Sequence, residues 1–309
     1  MFKTVKYWYE KYKNGENISK LMREDLNSKY NSSEIIEMSY ELQSNTYIKS
    51  MRNKEVLNTK KKYCKELFKT INDLFVPMSI LEAGIGEATT FSEVIRHFSE
   101  NTRCYGFDLS WSRVSYANKW LKYKNIKNCN LCTGNLLDIP FGKNSIDIVY
   151  TSHSIEPNRG KEREILKELY RVCKNYLILL EPAYELTTDE NRRRMDSHGY
   201  CKNLKLTAEE LGYKIIRYEL FKYFGNEENP TALIIIEKND KRYNSKIKTP
   251  FADPIFKTEL IKDKDCFYSP ESMSIFPIVN DIPCLRKENK ILAIKYEELN
   301  NLSENLIEE

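Results

Sequence analysis

Residues able to do chemistry in this sequence gather at the ends of apolar, strand-like runs. In SILEAGIGEATTF, residues 79–91, such a run closes on Glu82, and Gly84 and Gly86 follow one residue apart. Glycines there let a strand turn sharply into a helix, because they take positive φ and leave room for a close approach. The spacing is wrong for the GxGxxG of dinucleotide sites, and a phosphate gives no reason for Glu82. A carboxylate at a strand end suits a cationic ligand. YGFDLS ends a second run on Asp108, which could bind a ligand or cap the helix beginning near Ser112. His153 follows a third run and is the one histidine of three at the C-terminal end of a strand, where open α/β sheets bind ligands. A histidine near neutral pKa can take a proton from a hydroxyl or amine, with Glu156 available to orient it; a purely structural histidine is the alternative. Cys129 and Cys132 have CxxC spacing, but no second pair follows at metal-ligand distance, so no metal is expected.

The elements that must hold these residues alternate along the chain. Strand-sized apolar runs lie at Met78–Ala83, Arg103–Phe107, Cys129–Thr133, Ile146–Thr151, Tyr176–Leu180 and Thr231–Glu237, with a weaker one at Tyr213–Leu220. Helix-like stretches at Thr89–Phe98, Ser112–Lys122, Glu162–Cys173 and Leu206–Leu211 separate most of them. That alternation predicts an α/β fold with a mainly parallel sheet covered on both faces. The last two strands, joined by a turn around Asn226–Pro230, read as an antiparallel hairpin at the sheet edge. Residues 1–75 are helical in pattern. From about Lys238 the chain becomes linker-like, and a short proline-containing module then runs to about Tyr296.

Composition narrows the class. At 41% apolar and 30% charged, the 309 residues suit a globular protein with a sizeable core. A net charge of +4 is small for a nucleic-acid binder. No apolar run approaches the roughly 20 residues that cross a bilayer, and the N-terminal MFKTVKYWYEKYK lacks the apolar core of a signal peptide. Eight scattered cysteines fit a reducing, cytoplasmic setting.

LEAGIGEAT resembles the first motif of class I S-adenosylmethionine-dependent methyltransferases, acidic-x-Gly-x-Gly-x-Gly, with Ala88 at the third glycine. YGFDLS, CTGNLLDIPFGKNSIDIVYTSHSIEPNRG and RVCKNYLILLEP resemble the later motifs in order. The resemblance implies a Rossmann-like seven-stranded sheet over residues 76–238 with an N-terminal helical cap over 1–75. It implies S-adenosyl-L-methionine as cofactor: Glu82, Gly84 and Gly86 along its methionine part, Asp108 on the ribose hydroxyls, and Leu109, Asn135 and Leu136 at the adenine. Ser152 and His153 would stand near the sulfonium and the acceptor. The insertion at 181–204 often borders the acceptor in this family, which makes Tyr184 a further catalytic candidate and Arg192, Arg193, His198 and Tyr200 substrate-binding candidates. Consecutive arginines on one helix cannot all face the same way. Within the small C-terminal α+β module of 239–309, YSPESMSIFPIVNDIPCL resembles the end of zinc-ribbon-like methyltransferase activator subunits. Asp281 stands where glycine is usual, and the zinc cysteines are absent.

The expected function is methyl transfer to an oxygen or nitrogen of a small molecule or glycan precursor, with no nucleic acid or membrane partner. A tRNA or protein methyltransferase is the alternative, although SHSI stands where an Asn-Pro-Pro-Tyr-type tetrapeptide is common. A non-catalytic subunit that keeps the fold is a third reading, opposed by Glu82, Gly84, Gly86 and Asp108 all being present.

Overall fold

The computed structural model describes residues 3–238 and 249–301. Five helices come first: α1 (Val5–Lys13), α2 (Ile18–Asp25), α3 (Ser33–Leu42), α4 (Thr46–Ser50) and α5 (Lys54–Leu74). Polar side chains start four of them. Thr4, Asn17, Ser32 and Asn53 accept hydrogen bonds from the first free backbone N–H groups of α1, α2, α3 and α5, the usual remedy for donors a helix cannot satisfy. Trp8, Ile18, Met22 and Ile35 form a small core of their own.

The alternating region follows as β1 (Ser79–Ala83), α6 (Phe91–Ile95), β2 (Arg103–Asp108), α7 (Trp111–Tyr123), β3 (Cys129–Thr133), β4 (Ile146–Ser152), α8 (Glu162–Val172), β5 (Cys173–Pro182), α9 (Asp189–His198), α10 (Leu204–Glu210), β6 (Lys214–Leu220) and β7 (Thr231–Glu237). The strands form one seven-stranded sheet in the order β3-β2-β1-β4-β5-β7-β6. β1 to β5 pair in parallel, and β7 runs antiparallel to β5 and to β6. The hairpin therefore exists at the edge, with β7 inserted inside β6. Apolar residues on successive positions serve opposite layers, as strand geometry requires. Leu177 and Leu179 pack with α8 and α10, whereas Ile178 and Leu180 pack with α5, α6 and α7. From β1 the chain winds one way to β2 and β3, and from β4 the other way. The crevice between the ends of β1 and β4 is thus a switch point, where ligands bind in such sheets.

The C-terminal module is a second sheet: β8 (Ile261–Asp263), β9 (Cys266–Ser269), β10 (Ser274–Val279), β11 (Ile282–Pro283) and β12 (Ile291–Leu292), followed by α11 (Tyr296–Asn301). β10 and β11 pair through a two-residue turn, with Asn280 at φ +49° and Asp281 at φ +62°. Both residues are left-handed, which suits a tight hairpin turn and explains why glycine favours the position of Asp281. The module lies along the edge of the large sheet, where Cys284 forms a parallel β-bridge with Thr133, the last residue of β3. Phe251, Phe267 and Phe276 join the core that holds Tyr105 and Phe141. Most of the linker-like stretch and the acidic last residues fall outside the described residues. Among the described residues no helix is long and apolar enough to cross a membrane.

Candidate functional site

A cavity of about 280 Å³ opens at the switch point. Glu82, Gly84 and Gly86 reach it from β1 and its turn, and Asp108 and Leu109 from the end of β2. Asn135 and Leu136 follow β3, and Ser152 and His153 follow β4. The eight residues expected at the cofactor and His153 therefore border one space. The opposite wall comes from the N-terminal helices, through Ile36 and Tyr40 of α3, Tyr47 of α4 and Lys60 of α5.

Gly84 is required for a reason the sequence did not show. A Cβ there would lie 2.2 Å from the Cβ of Ser154, whose hydroxyl donates to the Ala83 carbonyl at 2.6 Å, and its φ is +80°. The glycine lets the segment after β4 close against the turn after β1. Ala88 keeps the left-handed backbone of the glycine it replaces, with φ +58° and a buried methyl group. A non-glycine residue in this region costs on the order of 1–2 kcal/mol.

Asp108 accepts from the Gly86 N–H at 2.8 Å and the Ser110 N–H at 2.9 Å. Ser110, not Asp108, caps α7, accepting from the Arg113 N–H. Burial raises the pKa of Asp108 despite Arg113 and the two N–H groups. Glu82 is buried and accepts the Tyr150 hydroxyl at 2.8 Å. Burial pushes its pKa up to about 8, although the Tyr150 bond and the charge of Lys60 act the other way. Arg113 lies between the rings of Tyr40 and Tyr47, 4.4 and 4.5 Å from their centroids, so two helices of the cap grip one arginine beside Asp108. The amide oxygen of Asn135 accepts from the Leu137 N–H at 3.0 Å, and its nitrogen faces Ser33. Ser152 shares a hydrogen bond of 2.9 Å with Tyr63 of α5.

His153 is a left-handed residue at φ +57° with both ring nitrogens engaged. Nδ1 meets Glu156 at 2.6 Å, and Nε2 meets the Thr231 hydroxyl at 2.8 Å. With Glu156 ionised, Nδ1 donates to it; neutral Nε2 then accepts from Thr231. Burial works to lower the pKa of His153, but the Glu156 hydrogen bond and the charges of Glu156 and Glu181 raise it overall. The sequence left open a base oriented by Glu156 and a purely structural histidine. Here Thr231 must turn aside or relay the proton before Nε2 can take one from the cavity.

The acceptor candidates after β5 fare differently. Tyr184 does not line the cavity; its hydroxyl donates to Asp196 at 3.0 Å. Arg192 pairs with Asp189 and donates to the Tyr184 carbonyl, Arg193 is exposed, and Arg194 pairs with Glu228. His198 borders a separate surface hollow with Lys20, Arg23 and Lys29. Tyr200 interacts with Glu156, the partner of His153.

Glu181, at the end of β5, was overlooked. Its carboxylate accepts from the N–H groups of Ser154 and Ile155 at 3.1 and 3.2 Å and of Glu156 at 3.1 Å, holding the loop that carries His153. Burial raises its pKa to about 7 against the charge of His153. The signal was present in YLILLEP, another apolar run ending on a carboxylate. Lys60, Tyr40 and Arg113 carried no such signal, because they reach the site from other elements.

Residues 80–176 match the family described as "Methyltransferase domain". Among solved structures, the chain is similar to the magnesium protoporphyrin IX methyltransferase of Synechocystis with bound SAH. Identity is 14%, over 67% of this chain and 100% of that one, with a TM-score of 0.52. It is also similar to a SAM dependent methyltransferase from Aquifex aeolicus, 18% identical over 57% of this chain and 97% of that one, with a TM-score of 0.44. At 14% identity the likeness to the Synechocystis structure is one of fold. The cavity's own groups fit the donor: a carboxyl group that burial raises to about 8 and that a cationic group would ionise, and Asp108, an acceptor for hydroxyl donors.

Proposed function

We propose that this S-adenosyl-L-methionine-dependent methyltransferase acts on an oxygen or nitrogen of a small molecule or glycan precursor. When bound, the cofactor supplies an electrophilic methyl group on a positively charged sulfur. The protein's tasks are to align that methyl with the acceptor, to exclude water and to receive the acceptor's proton. In this reading Asp108 accepts from the ribose hydroxyls, and Leu109, Asn135 and Leu136 surround the adenine. Gly84, Gly86 and Glu82 follow the methionine part towards Ser152. His153, oriented by Glu156, takes the proton at Nε2, with Thr231 as the first group the proton meets.

The observation that carries the small-molecule reading is the cover. Ile36, Tyr40, Tyr47 and Lys60, from three different helices of the N-terminal region, line the same cavity as Glu82 and Asp108. A partly covered cleft of this kind suits a compact acceptor better than an RNA strand or a folded protein. The C-terminal module supports the site from outside. Arg286 forms an ion pair with Glu37 of α3 and donates to the Leu109 carbonyl, tying the module to the cap and to the end of β2. The cysteines, all unpaired, suit the cytoplasm.

The test is incubation of the purified chain with methyl-labelled donor and, separately, with metabolite extract, bulk tRNA and protein extract. Label in low-mass products is the expected result. Label confined to tRNA or protein would replace this acceptor class, and no binding of S-adenosylhomocysteine would remove the catalytic reading.

A further inference from the structure

A lysine lines the cavity together with Glu82, Thr90 and His153. Lys60 reaches in from α5, and its ammonium donates to the Thr90 hydroxyl at 3.0 Å. Among the described residues no carboxylate lies within ion-pair distance of it. Its charge is felt by Glu82 and by His153, which follow from β1 and β4 and line the same cavity. The cavity therefore holds a buried carboxyl group and a half-buried ammonium that are not paired with each other. The ammonium without a counterion is costly there unless a ligand supplies negative charge, and Glu82, protonated while alone, ionises when a ligand brings a cation to it. A cation for Glu82 and an anion for Lys60, side by side, describe an amino-acid zwitterion.

We propose that Lys60, with the Thr90 hydroxyl, holds the terminal carboxylate of the cofactor's methionine part, while Glu82 faces its ammonium group. The assignment rests on the methyltransferase reading above. It makes a helix of the cap part of the cofactor site, so that docking the cofactor also fixes α5 over the cavity. An ammonium on a flexible stem acts as a point charge on a carboxylate, and a charge-assisted bond of this kind is stronger than a neutral one.

The two functions can be separated by the ligand. S-adenosylhomocysteine carries the amino-acid terminus; 5′-methylthioadenosine has the same adenosine and thioether without it. Calorimetry on the full chain, with no acceptor present, compares both ligands for the wild type, Lys60→Met and Lys60→Arg. Lys60→Met should weaken S-adenosylhomocysteine binding by about tenfold to a hundredfold. Methylthioadenosine binding should stay within about twofold, and Lys60→Arg should recover part of the loss. Thr90→Val, which removes the hydroxyl and keeps the shape, should give a smaller loss with the same selectivity. Equal losses for both ligands would mean that Lys60 only shapes the pocket, and no loss for either would place the carboxylate elsewhere; each overturns the proposal while leaving the methyltransferase reading intact. Failure of the wild type to bind S-adenosylhomocysteine would overturn both.

Discussion

At the scale of single residues, the site is governed by buried titratable groups whose charges are only partly matched. His153 gains its Glu156 partner on folding, and its pKa is raised above 6.5. Below about pH 6.5 its contribution to stability is therefore fully present, and it is lost as pH rises through the raised value. Glu156 is held below its ordinary 4.5, so the pair persists into mild acid. His153→Asn keeps a residue type tolerant of φ +57°. The stability deficit of that variant in urea unfolding should be largest near about pH 5.5 and shrink at higher pH. Its turnover should fall by about a hundredfold, and the acid limb of the pH–rate profile, placed above 6.5 in the wild type, should vanish. A variant that keeps both turnover and limb would leave His153 only a structural role. Glu82 makes the second prediction. With its pKa raised to about 8, it is largely protonated at neutral pH before a cation arrives. Cofactor binding should then release a proton, and affinity should rise with pH up to about 8, by at most about tenfold per unit. Calorimetry in buffers of different ionisation enthalpy measures the release, which Glu82→Gln should abolish.

At the scale of elements, the loop after β4 is held from β5. Glu181 takes three N–H groups from Ser154, Ile155 and Glu156. Removing the acceptor leaves buried donors unsatisfied at roughly 1–3 kcal/mol each. Glu181→Ala should thus lose about 3 kcal/mol or more in urea unfolding, with faster amide exchange confined first to residues 154–156. A loss under about 1 kcal/mol would mean that water satisfies those groups. The strands and most helices of this region were legible from apolar runs and their breaks, since a fully covered parallel sheet leaves its strands as short apolar segments. α9 is a different case. Its composition is almost wholly polar, and only Met195 is buried, so periodicity had little to mark.

At the scale of the whole molecule, the two sheets share a core. Phe276 of β10 is fully buried in the same cluster as Leu81 of the larger sheet and Phe141 of the segment between β3 and β4, and Phe251 meets both Phe141 and Phe267 edge-on. Unfolding should consequently be one cooperative transition. Phe276→Ala should lower the stability of the whole chain by about 3–5 kcal/mol, through lost burial and the cavity left behind. Two separate transitions by fluorescence and circular dichroism, with only the first affected, would show the C-terminal sheet to be an independent unit.

The sequence by itself determined the alternation of β1 to β7 with α6, α7, α8 and α10, the turn at Gly84 and Gly86, and the carboxylates at the ends of β1 and β2. Those features are local: a φ value, a period, a residue at a strand end. Tertiary structure alone decided which cap residues meet them. Lys60 and Tyr40 arrive across a gap in sequence that no local pattern spans, and Arg113 is placed by the two tyrosine rings that close on it. It also decided against Tyr184 as a neighbour of the cavity, because α9 turns a carboxylate, Asp196, towards that hydroxyl. The partners of His153 show the same division. Glu156 is three residues away and could be read from the chain, whereas Thr231 comes from β7, which only the antiparallel pairing with β5 brings to the imidazole.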